Sequence, residues 1–151
     1  MPGEGNTIKT ATLMHRLFKA PDISDFLTAN GDVLQTPDFF AYITKLCGEK
    51  GLVRERVIKQ SQIERTYGHQ LFNGRRVPSR DKVIQLAFGF GLNVEETQQL
   101  LKIAQKSVLY PKIRRDAVIL FCISHGLDVL DAQTLLESQR LTLLGGEDHR
   151  D

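Results

Sequence analysis

The residue types best suited to chemistry in this 151-residue chain are the cations between positions 54 and 82, and the chemistry they suit is the binding of anions. Residues 71–87 read LFNGRRVPSRDKVIQLA, which sets Arg75, Arg76, Arg80 and Lys82 between two apolar runs. The formal net charge of +2 conceals this concentration. Residues 1–50 hold five Lys and Arg against six Asp and Glu, and residues 93–151 hold seven against nine. Residues 51–92 hold eight (Arg54, Arg56, Lys59, Arg65, Arg75, Arg76, Arg80, Lys82) against Glu55, Glu64 and Asp81, a local net of 8 − 3 = +5. Such an asymmetry points to an anionic partner, with a solvated basic face as the plainer alternative.

Other chemistries find no support in the residues. His15, His69, His125 and His149 stand apart from one another and from carboxylates at metal-ligand spacing, and FGFG at 88–91 lacks the preceding strand that a phosphate-cradling loop needs. Cys47 and Cys122 each sit in an apolar pattern with no second ligand nearby, which predicts reduced core residues. The chain is therefore expected to be no enzyme and to need no cofactor or metal. No apolar run approaches a membrane span and MPGEGNTIKT has no signal-peptide core, so a cytoplasmic protein is expected.

The elements that must position the cations read as helices throughout, an all-α fold in a single compact domain over 1–151, long enough to bury about two thirds of its unfolded surface. In an N-terminal helical segment, 1–35, Leu13, Met14, Leu17 and Phe18 share one stripe, and a short helix runs from an Asp22 cap to Gly31. The next helix has Thr36 as its cap, Pro37 at its first position, a stripe of Phe39, Phe40, Ile43 and Leu46, and Gly51 as terminator. LVRERVIKQ then gives one or two turns with Val53, Val57 and Ile58 inward. Ser61 and Glu64 have the spacing of a capping box, predicting a helix over about 62–73 with Ile63, Tyr67 and Leu71 buried, and ended by Gly74. Ser79 caps another.

The chain also repeats. RDKVIQLAFGFGLNVEETQQLL at 80–101 matches RDAVILFCISHGLDVLDAQTLL at 115–136 in ten of 22 positions, a duplicated helical hairpin with Asn93 and Asp128 as equivalent caps. Two copies are too few for an open solenoid, so they are expected to stack within one globule or at a dimer interface. Each copy starts with Arg-Asp at a helix N-terminus, where the dipole favours Asp and not Arg. An arginine kept there predicts a specific contact for Arg80, while Arg114 and Arg115 read as solvated or paired with Asp116. Residues 105–144 form the C-terminal hairpin and 145–151 an acidic tail expected to be disordered.

From 52 to about 101 the spacing of a short helix, a turn, a longer helix, Gly74, Pro78, Ala87 and a helix from Asn93 resembles the Cro and phage-repressor type, or XRE-like, helix-turn-helix family. Four positions depart from that pattern: Ile58 stands for its small Ala, Gln62 for its turn Gly, Gly68 for its buried Ile and Phe72 for its Glu. The resemblance implies a central five-helix repressor-type unit in 36–104 and a bacterial transcriptional regulator that reads double-stranded DNA, commonly as a homodimer on paired half-sites. It places residues 62–73 in the major groove, with Arg65, Thr66, His69, Gln70 and Asn73 as base-contact candidates and Arg54, Lys59, Arg75, Arg76, Arg80 and Lys82 as phosphate-contact candidates. Gly68 implies close approach by a neighbouring helix or by DNA. The alternative is a helix-turn-helix frame kept as a protein-interaction module, with the C-terminal hairpin binding a protein partner and no DNA.

Overall fold

The computed structural model describes residues 8–34 and 38–146. Among them there are nine helices and no strand, so the fold is all-α as expected. The chain divides into two compact units, Met1–Thr36 and Pro37–Asp151, where the sequence reading has one domain. The predicted Thr36 cap and Pro37 lie outside the described residues.

The first unit contains α1 (Thr10–Lys19) and α2 (Ile23–Ala29). Asp22 caps α2 by accepting from the Asp25 amide at 2.8 Å, and Phe26 is the buried side chain. Arg16 Nη1 donates to Asn30 Oδ1 at 2.9 Å, which ties the two helices together. The predicted stripe on α1 is real as a pattern, yet Met14, Leu17 and Phe18 are exposed and no α1 residue is buried.

The second unit runs through α3 (Phe39–Lys50), α4 (Arg54–Gln60), α5 (Arg65–Phe72), α6 (Arg80–Phe90), α7 (Val94–Ile103), α8 (Arg114–Ser124) and α9 (Val129–Ser138). Ile43, Val57, Leu71, Ile84, Leu86, Leu100, Ile119 and Leu136 are its fully buried centre. Val53, expected inward, is exposed because it is the N-cap of α4 and lies outside the helical stripe. Gly51, Gly74, Gly91 and Gly126 all take left-handed φ at helix ends, as predicted for Gly51 and Gly74. Leu92 N donates to Ala87 O and Leu127 N to Cys122 O in matching terminations of α6 and α8.

The duplicated hairpins, α6–α7 and α8–α9, pack on each other through reciprocal contacts. Arg80 donates from Nη1 to Asp116 Oδ1 at 3.1 Å and from Nη2 to Asp116 Oδ2 at 2.9 Å, while Arg115 donates to Asp81 Oδ1 and Oδ2 at 2.9 and 2.8 Å. The pairing of Arg115 is thus crossed to Asp81, and Asp116, its neighbour in sequence, belongs to Arg80. Arg80 also donates to Ser107 O and Val108 O, and Arg115 to Thr142 O and Leu143 O, 35 residues on. Tyr110 N reaches Asp116 as Gly145 N reaches Asp81, so position 145, the start of the predicted tail, is tied down. Gln98 brackets Leu109, and Gln133 brackets Leu144, in the same way. Even the strained positions match, since Gln105 and Arg140 both have φ near +60°. The repeat therefore extends to 110 and 145. A contact in which each copy gives the other the same group is the signature of a two-fold relation, realised here inside one chain.

Candidate nucleic-acid interface

The turn between α4 and α5 differs from the Ser61 capping box. Ser61 is fully buried at the end of α4, and its hydroxyl donates to Val57 O at 2.7 Å. Gln62 takes φ +58°, the left-handed turn for which the resembled family uses Gly, and the helix starts at 65, not 62. Glu64 is the cap: its carboxylate accepts from Thr66 N at 2.8 Å and Tyr67 N at 2.9 Å. Those two amides hold the Glu64 carboxyl below the usual glutamate range.

The crossing of α4 and α5 explains two of the departures together. A Cβ on Gly68 would lie 2.8 Å from Ile58 Cγ1 and closer still to Cγ2. The bulk removed from α5 has moved to α4, and the close approach that Gly68 implied is that of the neighbouring helix. At the end of α4, a Cβ on Gly89 of α6 would meet Ser61 Oγ and come within 2.6 Å of Val57 O. Gln85 Nε2 donates to Ser61 O at 3.0 Å and Gln62 O at 3.3 Å, so α6 grips the turn itself. Phe72 fills the core beside Phe90, with their ring centroids 6.3 Å apart, and Arg54 lies over the Phe72 ring at 5.1 Å.

The outward side of α5 carries the predicted base-contact set. Arg65 and Thr66 are exposed, His69 and Gln70 half-buried, and Asn73, exposed, ends the helix and accepts from Arg75 N at 3.1 Å. Two clusters occupy this side. On one, Glu55 of α4 accepts from Arg65 and meets His69; the His69 bond, then that of Arg65, holds the Glu55 carboxyl below its usual range. On the other, Tyr67 is half-buried and carries Arg76 at 4.5 Å and Lys82 at 5.4 Å from its ring centroid, while Arg76 Nε donates to Gln70 Oε1 at 2.8 Å. Both cations lie over the face of the ring, with Arg76 exposed and Lys82 half-buried.

The phosphate-contact candidates separate into two groups. Lys59, in the last turn of α4, and Arg75, in the loop after α5, are exposed and make no side-chain hydrogen bond or ion pair with another described residue. Arg54, Arg76 and Lys82 border α5 through the ring contacts above. Arg80 does not belong with them. Its side chain is 14% exposed and its fork is spent on Asp116, Ser107 O and Val108 O, so it locks the repeats together. A cation disfavoured at a helix start, twice, was the sequence signal for that role.

Elsewhere the chemistry is quiet. Cys47 and Cys122 are free and buried, and burial pushes both thiols up, away from reactive thiolate. Among the described residues no group of His, Cys, Asp and Glu is placed to hold a metal ion, and no helix is long and apolar enough to cross a membrane. Comparisons with known protein families, curated proteins and solved structures find no match for this chain.

Proposed function

We propose that this protein binds double-stranded DNA as a sequence-specific regulator of transcription, with α5 in the major groove. The observation that carries the reading is the open polar face of α5, bordered by Arg76 and Lys82 on Tyr67 and by exposed Arg75 and Lys59. Cations on the rim neutralise phosphates and release counterions, while the side chains between them meet base edges. Were Lys59, Arg75, Arg76 and Lys82 each to neutralise one phosphate, log K would fall against log salt with a slope of about −3.6.

The test is fluorescence anisotropy with random duplex DNA over a salt series, comparing the wild type with R75A/R76A. The double variant is expected to bind more weakly and to lose about 1.8 from the slope. A wild type that fails to bind at low salt sinks the DNA reading.

A second reading draws on one observation in the C-terminal hairpin. Val118, Phe121 and Leu135 line an open apolar groove between α8 and α9, whereas their counterparts Val83, Leu86 and Leu100 are fully buried. A helical protein partner at that groove fits the adaptor alternative, and it becomes the leading reading if DNA binding fails.

A further inference from the structure

Glu55 is the second residue of α4, and one of its oxygens, Oε1, holds two candidate base readers at once. It accepts from Arg65 Nε at 3.0 Å and lies 2.9 Å from Arg65 Nη2 and 2.8 Å from His69 Nε2. An ionised carboxylate can only accept, so the imidazole proton that faces it sits on Nε2 and Nδ1 is left for another partner. Arg65 is gripped along its Nε–Nη2 edge, and its Nη1 has no hydrogen-bond partner among the described residues. The Nη1–Nη2 end of the fork is the part that matches O6 and N7 of guanine.

A carboxylate here works against bulk affinity. It stands on the face where residues 51–92 otherwise concentrate positive charge, and it repels phosphate. An ion pair between exposed side chains also adds little stability: those of Arg65 and Glu55 are 75% and 54% exposed. What it does supply is order. A long guanidinium side chain free in solvent must lose its rotamer freedom on meeting a base, and a grip from a second helix removes that loss beforehand. Resting on the DNA-binding reading, we propose that Glu55 is a positioning residue for base readout, which presents the free end of Arg65 to a guanine in the bound site and trades non-specific affinity for selectivity.

The experiment starts by selecting a site from random duplex DNA with the wild-type chain. Each guanine of that site is then replaced in turn by 7-deazaguanine, which lacks the N7 acceptor, and anisotropy is measured for the wild type, E55Q and R65K. The wild type should lose about tenfold or more in affinity at one particular guanine. E55Q should bind random DNA several-fold more tightly, yet lose most of that sensitivity at the same guanine. R65K keeps the charge and the salt slope but lacks the fork, so it should lose the sensitivity as well. A wild type that binds no duplex overturns the DNA reading and this inference together. A wild type that selects a site while E55Q discriminates as well as it does overturns the role of Glu55 alone. R65K with full sensitivity at that guanine overturns the inference whatever E55Q does.

Discussion

The replacement of Gly68 by Ala tests the packing logic of the α4–α5 crossing most directly. Ile58 is 2% exposed, and its Cγ1 and Cδ1 lie 2.8 and 3.0 Å from where the new methyl would sit, with Cγ2 nearer. Ordinary carbon contacts are about 3.5–4.0 Å. The γ-carbons of a β-branched residue cannot swing aside without leaving the one rotamer strongly preferred in a helix, so the helices themselves must part. Such overpacking costs about 1–3 kcal/mol, against which Ala gains about 1 kcal/mol over Gly in helix propensity. Contacts this short belong at the upper end of that range, so G68A should be destabilised by about 3 − 1 = 2 kcal/mol in urea unfolding followed by circular dichroism. I58V keeps both γ-carbons and should not relieve the clash. I58A removes them, at a cost of about 2–5 kcal/mol alone, and in that background G68A should restore about 1 kcal/mol by filling the space. The reasoning is refuted if G68A is as stable as the wild type, or if it costs the same in the wild type and in the I58A background.

R80A should lower stability by about 3–5 kcal/mol, because it leaves the buried Asp116 carboxylate without its guanidinium, yet it should leave the salt slope of DNA binding unchanged. A slope reduced as in R75A/R76A would return Arg80 to the phosphate contacts. Q62G removes the side chain from a left-handed position and should stabilise by about 1 kcal/mol, read as a higher urea midpoint; a lower midpoint would show that the Gln62 side chain outweighs its backbone strain. The carboxyls of Glu55, Glu64 and Glu96 are all held below the usual glutamate value, by the His69 bond, by the Thr66 amide and by the Asn93 amide respectively. A depressed folded value means stabilisation that is complete above the ordinary value of 4.5 and is lost as pH falls through the folded one. Urea midpoints of the wild type should thus hold down to about pH 5 and fall below it, and E64Q should give a shallower acid limb; parallel limbs would refute the cap.

How far the fold could be read from sequence depended on whether a signal was local. Ser79, Asn93 and Asp128 cap as their positions predicted because an N-cap is satisfied within three residues, and the glycine stops follow the same logic. Ser61 misled for the same reason: its hydroxyl had an equally local partner behind it, Val57 O, and Ser-x-x-Glu does not distinguish a hydroxyl facing forward from one facing back. The cost of Gly68 was legible, but Ile58 as the reason for it was not, since which residues meet at a helix crossing is decided by tertiary packing. The α1 stripe shows the reverse limit. A periodic pattern tells which side of a helix is apolar and says nothing of what covers it, and Met14 and Phe18 are exposed.

The charge concentration raised the functional question, and it withstands the loss of Arg80. Taken along the sequence, Arg80 and Asp81 cancel within 51–92 and Arg115 and Asp116 cancel outside it. In space the four exchange partners and form a neutral lock between the two hairpins. With Arg80 and Asp81 set aside, the segment keeps Arg54, Arg56, Lys59, Arg65, Arg75, Arg76 and Lys82 against Glu55 and Glu64, and 7 − 2 is still +5. The whole excess therefore falls on α4, α5, the loop after them and the first turn of α6, around the outward face of α5. Glu64 spends its charge on the amides at the start of α5, and Glu55 spends its own on Arg65 and His69. On the proposed DNA reading, this distribution supplies both the attraction for phosphate and the order of the side chains that meet the bases.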